Sequence, residues 1–353
     1  MYYVGVDYHK RYSVATVVDA AGEMLARKRL DNRLEAFREF LRPYDKTEVK
    51  AVVEATRSWG IAVDILEQLA DKVILANPGQ VKLIAKARIS TDKIDSLALA
   101  KLLRVGWVPE AYLRSRVNRD QQLTLRVRCF FVRMRTRVKN RIHDLIDRQS
   151  ESIRETAVSF SDLFGKKGMT WLRNLELDHP GGALLGQMLA AYDALDAQVR
   201  QSDRLVAELF AADDDCPRLV TMPGIGTFFA VLIKTEVGSI ERFASSARFC
   251  SYAGVVPSTA SSGGKVWHGR IIKESNRWLR WALVEAVIPA TVADAGLRSH
   301  YEYYRRMKGS KVAKVVTARR IGCIVYRILK EKQPYYERPV RSQGSRQAGK
   351  AHE

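Results

Sequence analysis

The chain has 353 residues, 46% of them hydrophobic. That is enough for two or three domains with cores of their own, and too apolar for general disorder. Its 59 Lys+Arg against 39 Asp+Glu leave a net charge of +20 and a pI near 9.9, which calls for a polyanionic partner. MYYVGVDYHKR turns charged too soon for a secretory h-region, and no apolar run is long enough to span a bilayer, so nucleic acid is favoured over a membrane and the cytoplasm is the expected location.

In chain order, YYVGVD (2–7), YSVATVV (12–18) and MLARKRL (24–30) read as three strands, with a turn at 20–22 between the last two. DNRLEAFREFL reads as a helix capped by Asp31 or Asn32. VKAVVEAT (49–56) is a fourth strand, followed by a helix from Trp59 to about Ala70, and KVILAN is a fifth strand ending at Asn77-Pro78-Gly79. A three-strand meander followed by alternating helix and strand predicts a mixed, ribonuclease-H-like sheet rather than a doubly wound one. STDKIDSLALAKLL (90–103) reads as a helix capped by Ser90 or Thr91.

No proline occurs between Pro109 and Pro180. Residues 111–150 predict a long basic helix or helix pair, with 11 Lys/Arg and an apolar stripe at Leu123, Val127, Phe130, Met134 and Val138. Leu185, Met188, Tyr192, Leu195, Val199, Val206 and Leu209 form a near-heptad stripe interrupted by Ser202 and Asp203. That pattern suits either an antiparallel coiled-coil arm or a buried helical hairpin. LVTMPGIGTFFAVLIKTEVG (219–238) reads as two helices around Pro223-Gly224-Ile225-Gly226, and 243–335 as helical and basic around a serine-glycine segment. The last stretch, 337–353, has no apolar periodicity and is expected to be disordered. The fold class is therefore α/β plus all-α. Cys129, Cys216, Cys250 and Cys323 form no CxxC pair and read as small buried residues of a reducing compartment.

Two constellations carry chemistry. Asp7 and Glu54 each end a strand, and Asp92 and Asp95 are spaced i and i+3, on one helical face. If the strands are neighbours, the carboxylates converge. Converging carboxylates need a cation, and hard oxygen ligands favour magnesium or manganese. Singly, each acid is as well explained by a turn, an ion pair with Arg57 or a helix N-terminus. The second constellation is PSTASSGGKVWHGR (257–270). Ser261 and Ser262 precede two glycines in a field of Lys265, His268, Arg270, Lys273, Arg277 and Arg280. Such a serine is either a nucleophile activated by His268 or a metal, or part of a polar loop that binds phosphate. The amides at Gly224 and Gly226 suit the grip of a phosphate backbone. Residues 301–341 hold 12 Lys/Arg with tyrosines 301, 303, 304, 326, 335 and 336 interleaved, a composition that suits stacking on unpaired bases.

The order of these motifs resembles the DEDD transposases of the insertion-sequence family numbered one hundred and ten, described as bridge-RNA-guided recombinases. The resemblance rests on VGVDYHK, VVEAT, STDKIDSLALAKLL, PGIG, SYAGVVPSTASSGGKVWHGRI and KGSKVAKVVTARRIGCIVY, and runs from about Tyr2 to Tyr336. It implies an N-terminal RuvC-like domain (1–110), a basic helix and coiled-coil arm (111–215) and a C-terminal, mainly helical transposase domain with the serine (216–336). It also implies Asp7, Glu54, Asp92 and Asp95 as a metal-binding tetrad and Ser262, with Ser261 as the register alternative, as nucleophile. Magnesium, a non-coding bridge RNA, donor and target DNA, and assembly into a dimer to tetramer follow from the same resemblance, as does a transient phosphoserine link. Two rivals remain at this level: a RuvC-like nuclease in which water attacks, and a non-catalytic RNA-binding scaffold.

Overall fold

The computed structural model describes residues 1–56, 58–85, 92–262, 265–271 and 275–336. Contacts divide the chain into two units, Met1–Val117 and Asn118–Glu353. The tail, Arg57, and the expected caps Ser90 and Thr91 lie outside the described residues.

The first unit is built on a six-stranded sheet of β1 (Tyr2–Tyr8), β2 (Tyr12–Val18), β3 (Met24–Asp31), β4 (Val49–Glu54), β5 (Lys72–Ala76) and β6 (Glu110–Ala111). The strand order is β3-β2-β1-β4-β5-β6. The first three strands form the antiparallel meander; β4 runs parallel to β1, β5 parallel to β4, and β6 antiparallel to β5. This is the mixed, ribonuclease-H-like arrangement that the pattern predicts. Its helices are α1 (Leu34–Leu41), α2 (Trp59–Leu66), α3 (Pro78–Ala85) and α4 (Asp92–Arg104). Alternation sorts the residues. Val4, Val6, Ala51 and Val53 join the core under Phe37 and Leu66 on one face, whereas Val52 packs with Leu99 and Leu103 on the other.

Two local expectations change. The N-cap of α1 is Arg33, with no side-chain cap. Asn32 instead donates to the His9 carbonyl and accepts from Ser13, and Asp31 pairs with Arg33. The Asn77-Pro78-Gly79 stop opens α3, because proline at the first helical position has no amide to lose.

The second unit is helical apart from one hairpin. α5 (Arg116–Ile146) and α8 (Gly181–Ala211) are both 31 residues long. They run antiparallel, since Arg128 pairs with Asp203 while Arg135, further along, pairs with Asp196, earlier in α8. α6 (Glu151–Ser159) and α7 (Lys166–Asn174) close the tip around Ile142, Ile146, Leu172, Leu185 and Leu189. Of the stripe expected on α5, Leu123 and Phe130 are 62% and 55% exposed; the buried face is Leu125, Cys129, Ile142 and Ile146. On α8, Ser202 is buried and donates to the Gln198 carbonyl, so it continues the seam rather than breaking it.

The larger core of this unit gathers α9 (Asp215–Val220), α10 (Thr227–Val237), α11 (Ser246–Ala253), α12 (Arg277–Glu285), α13 (Val287–Ala293) and α14 (Ala295–Glu331). α14 breaks at Gly309, whose φ of 78° is outside the helical range. Between α11 and α12 the chain forms a hairpin of β7 (Pro257–Ser262) and β8 (Lys265–Ile271). The serine segment is thus the end of a strand and not a loop. Of the six tyrosines expected to stack on bases, Tyr301 is buried, Tyr304 packs on the core, and Tyr326 and Tyr335 donate to Phe243 O and Asp294. Only Tyr303 and Tyr336 are more than half exposed.

Candidate active site

The first unit brings three of the four predicted acids to one sheet edge. In the parallel pairing of β1 with β4, Gly5 is opposite Val52 and Val6 opposite Val53, so Asp7 and Glu54 follow as neighbours where the strands end. Gly5 and Asp7 share a face, the one that α4 covers. A Cβ on Gly5 would stand 2.1 Å from the Ser96 carbonyl oxygen and 2.5 Å from the Ala100 amide. Glycine therefore lets the helix backbone rest directly on the strand. The Ser96 hydroxyl also makes a buried 2.8 Å hydrogen bond with Thr16. The helix is pinned by two contacts, and Asp95, one residue before Ser96, is delivered to the strand ends.

Electrostatics record the convergence. The Glu54 carboxyl is pushed above the usual glutamate range, first by burial and then by the charges of Asp7 and Asp95, with Lys82 opposing. Asp7 accepts a 3.1 Å contact from His9 Nε2, and the His9 ring lies tilted by 38° against Tyr12 with centroids 4.8 Å apart. Asp92 begins α4, and its side chain lies outside the described residues. Among the described residues, no three His, Cys, Asp or Glu side chains close into a finished ligand cage. The donor set is nevertheless all carboxylate oxygen and mutually repulsive, which fits a hard divalent cation such as magnesium.

In the second unit, the hairpin pairs Ser261 with Val266 and Ser262 with Lys265, so Ser262 is the last paired residue of β7. The side chains of Ser261, Ser262, Lys265, His268 and Arg270, and all of Lys273, lie outside the described residues. Arg277 opens α12 and is exposed. Arg280, one turn on, is held below its ordinary pKa by burial and then by the charge of Arg277, which marks a positive field at the hairpin's root. Gly224 and Gly226 play different parts. Gly224 has a φ of 87°, and a Cβ there would stand 2.4 Å from the Ala286 carbonyl oxygen, so packing requires this glycine. Gly226 is exposed at the N-cap of α10 with open space around it and no side-chain cap on the helix.

One buried carboxylate ties this unit together. Glu236 on α10 is 2% exposed. It accepts from Arg126, from Gln122 at 3.1 Å and from Asn276 at 2.7 Å. Asn276 caps α12, and its amide donates to the Tyr252 carbonyl at 2.8 Å. Gln122 and Arg126 of α5 and Asn276 at the foot of the hairpin thus meet at one buried carboxylate, and Tyr252, before the hairpin, joins them through Asn276. A lone glutamate in a helical run carries no signal of that role.

Two family models match the chain. One, described as "Transposase IS116/IS110/IS902 family", covers residues 216–302; the other, the DEDD transposase model of IS110, covers residues 4–150. The chain belongs to the IS110/IS116/IS902 transposase family. The first model holds the hairpin and its root, and the second holds the sheet, its acids and α5. Among curated relatives, the chain is 30% identical over 224 residues to "Transposase for insertion sequence element IS1328" of Yersinia enterocolitica, covering 62% of this chain and 64% of that protein. It is 26% identical over 150 residues to "Insertion element IS116 uncharacterized 44.8 kDa protein" of Streptomyces clavuligerus, covering 41% and 37%. To "Probable family 20 transposase" of Pseudomonas aeruginosa it is 23% identical over 338 residues, covering 94% and 98%. The chain therefore spans less than two thirds of the first two relatives and nearly all of the third. No helix among the described residues is long and apolar enough to cross a membrane.

Proposed function

We propose that the protein is a transposase that cuts and rejoins donor and target DNA under the guidance of a non-coding bridge RNA, with Ser262 as nucleophile. The observation that supports it best is the crowding of Glu54, Asp7 and Asp95 at the strand ends of a ribonuclease-H-like sheet, where burial and like charge raise the Glu54 pKa. With Asp92, these carboxylates would hold magnesium or manganese. The bound metal would polarise the phosphodiester and offset negative charge on its oxygens. In this reading the Ser262 hydroxyl attacks phosphorus and gives up its proton to a carboxylate of the set. The sugar oxygen departs, leaving DNA joined to Ser262, and a strand hydroxyl later displaces the serine. Lys265, Arg270, Lys273, Arg277 and the amides at Gly224 and Gly226 hold the backbone phosphates. Copies of the chain assemble as a dimer to tetramer on the nucleic acid, in the cytoplasm at the nucleoid.

The test combines purified protein, magnesium, the element's non-coding RNA and cleavable DNA, and looks for protein-linked DNA. An adduct is expected with the wild type, and its loss with Ser262→Ala and with Asp7→Asn. Cut ends without adduct, and cutting that survives Ser262→Ala, would replace the serine by water. Tight RNA binding with no magnesium-dependent cutting would leave a binding scaffold.

A further inference from the structure

Packing brings together two cysteines that the sequence reading treats separately. Cys250 on α11 and Cys323 on α14 are 73 residues apart, yet their Sγ atoms lie 3.8 Å from each other. Gly322 makes room for this: a Cβ there would stand 3.0 Å from Cys250 Sγ, so the glycine leaves the notch that the sulfur occupies. Both thiols are free, and they differ in access. Cys250 is fully buried. Cys323 is half-buried and lines a cavity of about 150 Å³ together with Asp294, Arg320, Arg327, Tyr335 and Tyr336.

The surroundings also separate the two chemically. A hydrogen bond from Cys250, a second from Ser246 and the charges of Arg319 and Arg327 hold the Cys323 thiol below the usual thiol range, against the opposing effect of burial. The Cys250 thiol is pushed up by the same bond and by burial, and its sulfur also lies 3.5 Å from the Arg319 carbonyl oxygen. Burial raises the other two thiols, Cys129 and Cys216, and the nearby Asp213 and Asp215 help carry the latter to about 12. A reachable thiol held to the lower pKa beside a buried thiol held to the higher one is the arrangement of an attacking and a resolving cysteine.

We propose that Cys323 and Cys250 form an oxidisable dithiol that reacts with small hydroperoxides and closes to an internal disulfide. The Cys323 sulfur attacks a peroxide oxygen, the O–O bond breaks, and the departing oxygen takes a proton and leaves as water from hydrogen peroxide or as an alcohol from an organic hydroperoxide. Cys323 is then a sulfenic acid. The Cys250 sulfur attacks it and loses its proton, and the S–O bond breaks to release water. The two thiols give up two electrons and hydrogen peroxide accepts them. The bond would staple α14 to α11, the helix that leads into β7. This assignment stands independently of the proposed strand transfer.

The test treats the reduced, full-length protein with a small excess of hydrogen peroxide, alkylates it with N-ethylmaleimide, and reads intact mass and non-reducing peptide maps. The expected result is the loss of two hydrogens per chain and a single linked peptide pair, Cys250 with Cys323, reversed by dithiothreitol. Without peroxide, Cys323 should alkylate at least about tenfold faster than the other three thiols at neutral pH. Cys250→Ser should stop at a sulfenic acid that dimedone traps, and Cys323→Ser should stay reduced. Absence of the 250–323 link, or alkylation of Cys323 no faster than of Cys129, overturns the assignment. If a serine variant fails to fold, the wild-type map and rates decide alone.

Discussion

Glu54 sits where its charge is least favourable, half-buried at a strand end with Asp7 and Asp95 beside it. Its pKa is raised, so the folded chain holds this proton more tightly than the unfolded chain does. The stability of the metal-free protein therefore falls as pH climbs from the ordinary glutamate range through Glu54's raised one. Glu54→Gln removes that fall. In chelator, the variant should melt above the wild type at neutral pH and alongside it in acid, while magnesium should stabilise the wild type more. A wild-type melting temperature that stays flat across the window would refute this. Asp7 and Glu54 are legible in the sequence because each ends a clear apolar strand. Gly5 is not, because nothing in VGVD says that a helix eighty-odd residues later will rest on it. Asp95 is readable as a helical partner of Asp92, but its placement depends on that glycine.

Among the elements, α5 shows how a correct period can carry the wrong phase. The spacing of Leu123, Val127 and Phe130 is helical, yet the face that packs is set by Leu125 and Cys129. Both faces carry apolar residues, and arginines flank each of them, so composition does not choose; the cores that Leu125, Ile142 and Ile146 join do. Leu125→Ala should cost about 2–5 kcal/mol of stability by leaving a cavity, whereas Leu123→Ala should fall within about 0.5 kcal/mol of the wild type. Denaturant midpoints of the two variants check the assignment, and equal losses would restore the original stripe. The β7–β8 hairpin escapes the sequence reading for a different reason. PSTASSGG is rich in residues that usually mark turns, and only pairing with KVWHGRI makes a strand of it.

Among the described residues the two largest cores lie one under the sheet and one around α10, α12 and α14. The charge of +20 reads through in the arginines of α5 and α12. Binding to DNA or RNA should therefore weaken steeply with salt, by about a thousandfold or more between roughly 50 and 200 mM if six or more phosphates are neutralised. Arg277→Ala should lower the slope of log affinity against log salt by about one, uniformly across sequences. A salt-insensitive affinity would remove the polyanion reading. Net charge is visible in composition, whereas its anchoring is not. The arm's root, Gln122 and Arg126, closes on Glu236, while the tip has a core of its own.

α5 is clamped near its start at Glu236. From Arg126 to Ile146 is about 30 Å at the α-helical rise, so a tilt of about 10° at the clamp swings the far end through about 5 Å. The clamp is the same carboxylate that receives Asn276 at the foot of the serine hairpin. One buried side chain is thus shared by the long helix and by the residue that caps α12, directly after the segment that carries Ser262.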